Sequence, residues 1–346
     1  MIGGMPPPVG GTTVLFKNLI DGLQQTPSLS VTLINTSRLS QGLVSTCLQG
    51  LLSLVKMIHH IASADVVSFH ASMQGALLFG PFVHIFCRVF RKKWIFRAFG
   101  GCGDEWYQSI GPVRRFLCRS TVFSADAVLL ERQSSVRFFR ALTKSAVHWY
   151  PNSRKIDPAI QRQNGSKPRG GRFVYVGHVK PSKGIPELME ACKLLRTENV
   201  RVDVYGPMQE GITESTFDQA SVTYCGLLAN ERVVSTLQGY DALLLPTYWK
   251  GEGYPGVILE AYCAGIPVIA TRWGGIPEIV TSETGILIEP RDVEGLARAM
   301  RQIMTSEALR ARLRAGARQK ATEFDAEQWT TYFIRLCEGL TAGRRG

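Results

Sequence analysis

Short apolar runs alternate with amphipathic stretches along most of the chain. Continuous apolar runs of this length are typical of buried strands of a parallel sheet, and apolar residues at three- and four-residue steps are typical of helices. The predicted strands are Val31–Ile34, Val66–Phe69, Trp94–Phe96, Ala127–Leu130, Phe173–Val176, Val200–Tyr205, Ala242–Leu245 and Pro267–Ala270. The clearest helices are Val44–Ile61, Ile185–Leu195, Glu231–Leu237 and Val257–Ala264. Alternating strands and helices predict parallel sheets covered on both faces.

One segment interrupts this alternation. Asn152–Gly171 is rich in Asn, Ser, Pro, Gly and Arg and has no periodicity, so we interpret it as a linker between two doubly wound α/β domains. The predicted division is a first domain over 1–155, a linker over 156–171, a second domain over 172–324, and a C-terminal helix over 325–346. Asp325 and Gln328 resemble a capping box, and that helix is expected to pack back toward the first domain. Ligands of doubly wound sheets bind at the carboxyl ends of the strands.

Composition and charge narrow the class of protein. Of 346 residues, 45% are hydrophobic and 20% charged, which excludes a disordered chain, a coiled coil and a fibre. The eight cysteines lie far apart without metal-binding spacing, as expected of reduced core residues in a cytoplasmic protein. No signal peptide is expected, and the apolar stretch 73–87, which contains Pro81 and His84, is too short and interrupted to span a bilayer.

The net charge of +12 lies almost entirely in the first half of the chain, where residues 1–165 contain 18 basic and 7 acidic residues. Arg88, Arg91, Lys92, Lys93 and Arg97 follow an apolar helical stretch, and Arg114, Arg115 and Arg119 form a second group. This pattern favours an anionic membrane surface as partner. Nucleic acid is a rival partner, although the sequence contains no known reading motif, and a solvated basic face is the remaining alternative.

Three glycine-containing segments could bind an anionic ligand. Gly10 and Gly11 precede a helix, where backbone amides and the helix start favour a phosphate. The segment 177–184, GHVKPSKG, joins a strand to a helix and contains Lys180 and Lys183. In the third segment, Glu252 in a loop and Glu260 on the following helix could line one crevice, where a carboxylate suits a pair of vicinal hydroxyls.

The third segment, PTYWKGEGYPGVILEAYCAGIPVIAT with Glu252 and Glu260 eight residues apart, resembles the family 4 retaining glycosyltransferases of the GT-B fold. The resemblance extends to Pro7–Gly11, to Tyr150–Asn152, to 177–184 and to Gly274–Ile279. It implies two Rossmann-like domains facing across a cleft, the second of which binds a nucleotide sugar. It further implies transfer of the sugar with retention, without a metal or other cofactor.

The resemblance also implies roles for individual residues. Glu260 would hold the ribose hydroxyls, Glu252 would touch the transferred sugar, and Lys183 with the amides of Gly10 and Gly11 would grip the diphosphate. Glu252 and Lys183 would then be the catalytic residues. The remaining donor-binding candidates are His178, Lys180, Gly253, Tyr254, Pro255, Gly256 and Val257, and the candidates on the acceptor or sugar side are His70, Arg97 and Phe99. For His70, a structural role is an equal alternative.

The sequence departs from the family pattern at three places. His178 stands where the family usually has Arg, Phe99 stands where a His often occurs, and only Met1–Gly3 remain of the expected first strand. A start codon upstream of Met1 would explain the short strand. The sequence therefore predicts a cytoplasmic glycosyltransferase, peripheral on the inner face of the plasma membrane, that acts on a lipid-linked or polysaccharide acceptor. The alternatives are a nucleotide-sugar epimerase of the same fold and a degenerate, non-catalytic binding subunit.

Overall fold

The computed structural model describes residues 1–6, 10–37, 55, 57–162, 170–217 and 220–342. The chain divides into two compact units. Unit 1 contains Met1–Asn152 together with Ala326–Gly346, and unit 2 contains Ser153–Asp325. No helix among the residues just given is long and apolar enough to cross a membrane.

Unit 1 is built on a parallel sheet of six strands in the order β2-β1-β3-β4-β5-β6. Its elements are β1 (Ile2–Gly3), α1 (Gly11–Gln24), β2 (Ile34–Asn35), β3 (Val66–Ser72), α2 (Met73–Val89), β4 (Lys93–Phe99), α3 (Gly103–Ser109), α4 (Pro112–Ser120), β5 (Ala127–Leu130), α5 (Gln133–Arg140) and β6 (Ala146–Trp149). The C-terminal helix, Ala326–Ala342, belongs to this unit and packs on α1, where Gly22 lies against Thr330. Trp329 and Phe333 of that helix are buried in the core.

Unit 2 is built on a second parallel sheet, in the order β12-β11-β10-β7-β8-β9. Its elements are α6 (Pro158–Arg162), β7 (Arg172–Val176), α7 (Ile185–Leu194), β8 (Arg201–Tyr205), β9 (Val222–Tyr224), α8 (Asn230–Leu237), β10 (Ala242–Leu245), α9 (Gly256–Ala264), β11 (Val268–Thr271), α10 (Ile276–Ile279), β12 (Gly285–Ile288), α11 (Val293–Thr305) and α12 (Glu307–Ala321). All four residues of β10 and of β11 are buried, as expected of central strands covered on both faces. The prediction of an α/β fold with two parallel, doubly wound sheets is confirmed.

The edge strands β6, β9 and β12 were not among the predicted strands, and other differences lie near the start of the chain. The run Val31–Ile34 was predicted as a strand, but β2 contains only Ile34 and Asn35, because β1 offers just two residues to pair with. By contrast, β4 is longer than predicted, since all seven of its residues pair with β3. Of the predicted helix Val44–Ile61, residues 55 and 57–61 are helical, and 44–54 and 56 lie outside the described residues. Within the predicted linker, α6 is helical and 163–169 lie outside the described residues.

Candidate functional site

The loop after β10 is fixed by backbone contacts with two neighbouring turns. Tyr248 N donates to Ser182 O at 2.9 Å, which joins this loop to the turn after β7. On the other side, Gly275 N donates to Glu252 O at 3.2 Å. A Cβ on Gly275 would lie 2.7 Å from the carbonyl oxygen of Gly253, so the close approach requires glycine. The two turns therefore hold Glu252 at the carboxyl end of the sheet.

Lys183 lies on the turn after β7. A short 3₁₀ helix, Pro181–Lys183, ends at Gly184, whose φ of 82° lies in the left-handed region that favours glycine. Directly after it, α7 begins at Ile185. The turn thus directs a lysine to the start of a helix, where the helix dipole and the ammonium both favour an anion.

Lys183 and Glu252 form the most enclosed ion pair of unit 2 that involves predicted site residues. Lys183 Nζ lies 2.5 Å from Glu252 Oε2, and their side chains are 13% and 7% exposed. The same carboxylate oxygen accepts a hydrogen bond from Thr247 Oγ1 at 2.7 Å. Lys183 Nζ also lies 4.6 Å from the ring centroid of Trp249, in cation–π geometry. The sequence-predicted catalytic residues are therefore in direct contact.

Glu260 lies one turn into α9 and is paired with an arginine. Arg154 Nε lies 2.8 Å from Glu260 Oε1, with side chains 15% and 19% exposed. The pair is close to Cys263 of the same helix, whose pKa burial raises to about 12, so that this thiol stays protonated at neutral pH. The Glu260 carboxylate is partly exposed and therefore accessible to a hydroxyl-bearing ligand.

The other predicted donor-binding residues are distributed around these two pairs. Gly253, Tyr254 and Pro255 are buried between Glu252 and α9, whereas Gly256 and Val257 in its first turn are partly exposed. Tyr254 donates from its hydroxyl to Glu278 Oε2 at 2.7 Å, which anchors the loop to α10. Lys180 and His178 are placed differently. Lys180 Nζ is 5.3 Å from the Trp249 centroid and pairs with Glu210 at 3.3 Å. The side chain of His178 is exposed, and its carbonyl accepts the Tyr175 hydroxyl at 2.7 Å.

In unit 1, the three residues predicted for the acceptor or sugar side are clustered and buried. His70 and Arg97 are register partners on β3 and β4. His70 contacts Ser68 Oγ through Nε2 at 2.8 Å, and its Nδ1 has no hydrogen-bond partner among the residues that the structure describes. The Arg97 guanidinium carbon lies 4.8 Å from the Phe99 centroid and 4.5 Å from that of Tyr150. Burial lowers the pKa of His70 well below its ordinary value, with a further contribution from the Arg97 charge, so the imidazole is neutral at pH 7.

The position of Arg97 corrects one sequence-based interpretation. Arg97 was counted with the basic surface, but it lies inside β4 and is 3% exposed. The residues around it explain the difference, because six of the seven residues of β4 are buried. Arg97 therefore cannot contribute to a basic face, whereas Arg88, Arg91 and Lys93 are exposed and Lys92 is partly exposed.

Gly10 and Gly11 lie where the sequence predicted, at the start of α1. Gly10 is its N-cap, and Gly11 is its first residue. The amide of Gly10 already donates to Thr13 Oγ1 at 3.0 Å, so an anion would compete with this hydroxyl for it. The adjoining residues 7–9 of the predicted loop lie outside the described residues.

The structure adds three residues that sequence reasoning missed. Thr247 and Trp249 contact the Lys183–Glu252 pair, and Arg154 contacts Glu260. Trp249 lies beside a lysine in the loop of the motif. This combination of an aromatic and a basic side chain could have been recognised in the sequence. Arg154 had no such signal, since it precedes its partner by 106 positions and lies in a segment that reads as linker.

Unit 1 also exposes apolar residues on two helices that pack against each other, α2 and α4. Leu78, Phe82, Ile85 and Val89 follow one face of α2, and Val113 and Phe116 of α4 are 78% and 71% exposed. Exposed cations accompany them at Arg88, Arg91, Arg114, Arg115 and Arg119. We call these residues the apolar–basic face. Lys93 is also exposed but pairs with Asp126 at 2.7 Å.

The chain is similar to known proteins over part of its sequence and in its fold. Residues 157–320 match the family model described as Glycosyl transferases group 1. Among curated proteins, the chain is 29% identical over 202 residues to glycogen synthase of Mycobacterium tuberculosis, covering 55% of this chain and 48% of that protein. It is 35% identical over 127 residues to the putative teichuronic acid biosynthesis glycosyltransferase TuaC of Bacillus subtilis, covering 37% of this chain and 31% of that protein. The alignments thus cover less than half of each of these relatives.

Solved structures show the same fold over nearly the whole chain. Sucrose-phosphate synthase from Thermosynechococcus elongatus superposes with a TM-score of 0.74 at 17% identity, covering 99% of both chains. Anabaena Alr3699/HepE, solved in complex with UDP and glucose, superposes with a TM-score of 0.69 at 16% identity, covering 97% of this chain and 98% of that one. At these identities, the likeness establishes the fold of the chain.

Proposed function

We propose that this protein is a glycosyltransferase that moves a sugar from a nucleotide-diphosphate sugar to a lipid-linked or polysaccharide acceptor in the synthesis of a cell-surface glycan. The observation that carries the proposal is the enclosed contact of Lys183 with Glu252 at the carboxyl end of the unit 2 sheet, inside the matched family domain. Ligands of doubly wound sheets bind at this end of the strands. The names of the relatives, a glycogen synthase and a teichuronic acid glycosyltransferase, support a polysaccharide product.

The roles of the residues follow from charge and position. The Lys183 ammonium stabilises the negative charge that develops on the departing diphosphate. In unit 1, the amides of Gly10 and Gly11 are kept as candidate phosphate-binding groups. Glu252, held by Lys183 and Thr247, is directed to the transferred sugar. Glu260 accepts hydrogen bonds from the ribose hydroxyls, and His70, Arg97 and Phe99 are kept as candidates on the acceptor or sugar side.

We further propose that the reaction retains the anomeric configuration and needs no metal. The bond from the anomeric carbon to the phosphate oxygen breaks, a bond to the acceptor oxygen forms on the same face, and the acceptor proton passes to the departing phosphate oxygen. Positive side chains, backbone amides and helix ends then neutralise the departing diphosphate, which is the role of a divalent cation in other transferases. A degenerate binding subunit is disfavoured by the intact Lys183–Glu252 pair, and neither relative described above is named as an epimerase.

Substituting Glu260 tests the donor site. Glu260→Ala should weaken binding of the matching nucleoside diphosphate by about 1.5–3 kcal/mol, because a charged acceptor of hydrogen bonds is lost. Calorimetric titration with UDP, GDP and ADP would measure this loss. Glu294→Ala, which removes an exposed glutamate of α11, is the matched control and should leave the affinity unchanged. An affinity that Glu260→Ala leaves unchanged would remove Glu260 from the donor site.

We also propose that unit 1 holds the protein on the cytoplasmic surface of an anionic membrane through the apolar–basic face. The exposed apolar rows on α2 and α4 supply area for insertion, and their arginines attract acidic headgroups. Each cation near such a surface contributes about 1 kcal/mol, and the attraction falls off within a Debye length of about 8 Å at physiological salt. A peripheral position would bring the enzyme to a lipid-linked acceptor.

Liposome binding tests whether an anionic membrane is a partner of unit 1. The protein should bind anionic vesicles more tightly than neutral ones, and added salt should release it. Reversing one charge on each helix, Arg88→Glu with Arg114→Glu, should weaken binding by at least about 30-fold, because each of the two cations removed contributes about 1 kcal/mol and the new carboxylates repel acidic headgroups. The control Arg196→Glu with Arg232→Glu makes the same change of charge on exposed residues of unit 2 and should have little effect. Equal binding to neutral and anionic vesicles would exclude an anionic membrane as the partner of unit 1. The apolar–basic face would then be an ordinary solvated surface.

A further inference from the structure

We propose that Arg154 is a positioning residue for the nucleotide site: it fixes the Glu260 carboxylate in the orientation that reads the ribose diol. This inference rests on the proposed function, because it takes Glu260 as the group that binds the ribose. Arg154 lies outside the sequence motif that contains Glu260, and its side chain contacts Glu260 from a position 106 residues earlier in the chain.

The guanidinium of Arg154 is held at two points. Its Nε donates to Glu260 Oε1 at 2.8 Å, and its Nη1 donates to the Ser153 carbonyl at 3.0 Å. Since a guanidinium is planar, two hydrogen bonds from different nitrogens fix its plane, whereas a lysine ammonium would fix only a point. The backbone of Arg154 is fixed as well, because its N–H donates to Phe324 O at 2.9 Å.

Gly256, at the start of α9, makes room for this arrangement. The guanidinium lies directly over it, and a Cβ at this position would be 3.1 Å from the guanidinium carbon and closer still to Nη2. Arg154 therefore approaches the first turn of the helix that contains Glu260 one turn later. Any larger residue at position 256 would displace the guanidinium from the carboxylate.

The pair leaves the carboxylate available to a ligand. Arg154 engages Oε1, and the structure shows no hydrogen bond or ion pair to Oε2 from any residue that it describes. With one oxygen held and the side chain 19% exposed, Oε2 has a fixed direction before the ligand arrives. A fixed acceptor loses less conformational entropy on binding a diol than a freely rotating one. We therefore expect Arg154 to increase the preference for a ribose over a 2′-deoxyribose.

The test compares UDP with 2′-deoxy-UDP, and GDP with 2′-deoxy-GDP, by calorimetric titration of the full chain. The quantity of interest is the ratio of the two Kd values, deoxy over ribose. We expect a ratio of about tenfold for the wild type, the worth of one charged hydrogen bond. Arg154→Met should lower the ratio at least about threefold while changing the Kd of the deoxy nucleotide by less than about twofold. Arg154→Lys should restore the ratio only in part.

Three further variants separate the explanations. Arg301→Met breaks an Arg–Glu pair with Glu198 elsewhere in unit 2 and should leave the ratio unchanged. Glu260→Gln should bring the ratio close to one, and adding Arg154→Met to it should change the ratio no further. A ratio that survives Arg154→Met, or a loss of affinity shared equally by both nucleotides, overturns the positioning role alone. A wild type that binds none of UDP, GDP and ADP, or a ratio that survives Glu260→Gln, overturns the proposed donor site itself.

Discussion

Lys183→Met should reduce turnover of the nucleotide sugar by about 10²–10³-fold, the usual cost of removing a preorganised group that stabilises developing charge. The ammonium is 13% exposed and is oriented by Glu252 and by the face of Trp249. In such an enclosed setting, a charge acts on the leaving group more strongly than in water. The rate of turnover is measured as the release of nucleoside diphosphate from the nucleotide sugar.

Two companion variants make this prediction specific. Lys183→Arg keeps the positive charge and should recover part of the activity, although its planar head does not match the position of the ammonium. Lys193→Met removes a lysine that pairs with Glu190 on the surface of α7 and should leave turnover unchanged. Thermal unfolding of all three should confirm that they are folded. Turnover of Lys183→Met within about threefold of the wild type would exclude Lys183 from charge stabilisation.

Gly184→Ala should destabilise unit 2 by about 2–5 kcal/mol and abolish turnover. A non-glycine residue in the left-handed region costs about 1–2 kcal/mol. In addition, a Cβ on Gly184 would lie 2.6 Å from the carbonyl carbon of Pro246, and overpacking of this kind costs about 1–3 kcal/mol. Because Pro246 begins the loop that leads to Glu252, relief of the clash would also separate Lys183 from its partner.

Gly211→Ala isolates the contribution of the backbone conformation. Gly211 has a φ of 81°, almost the same as the 82° of Gly184, but no atom lies within 4 Å of its Cβ position. This variant should therefore cost only about 1–2 kcal/mol and should keep its activity. Urea unfolding of Gly184→Ala and Gly211→Ala measures the difference between their free energies of unfolding. Equal destabilisation by both would show that contact with Pro246 contributes nothing.

The inner strands β7, β10 and β11 of unit 2 could be predicted from sequence because burial on both faces makes them continuously apolar, whereas the edge strands β9 and β12 were not predicted. Ala242–Leu245 was predicted with its observed bounds, and the run Pro267–Ala270 differs from β11 by one residue at each end. The prediction was wrong where length depends on a partner strand. Val31–Ile34 has the composition of a strand, yet β2 is limited to two residues by its pairing with β1.

The candidate site could be predicted only as far as its residues lie in local motifs. Glu252, Glu260 and Lys183 stand in glycine-containing turns that follow strands, and the carboxyl ends of parallel strands meet at one edge of a sheet. The positions of Arg154 and Arg97 could not be predicted from local motifs. The first acts through a contact that only folding creates. The second was interpreted as a surface charge because the predicted buried strand ended at Phe96, whereas β4 continues to Phe99.

The most direct test of the account measures release of nucleoside diphosphate from labelled nucleotide sugars, together with transfer of the label to an envelope extract of the source organism. Excess EDTA is present, and the wild type and Lys183→Met are compared side by side. The account predicts that the wild type transfers label from one donor in EDTA and that Lys183→Met loses this transfer. Transfer that requires a divalent cation, transfer that Lys183→Met retains, or no transfer from any nucleotide sugar would contradict it.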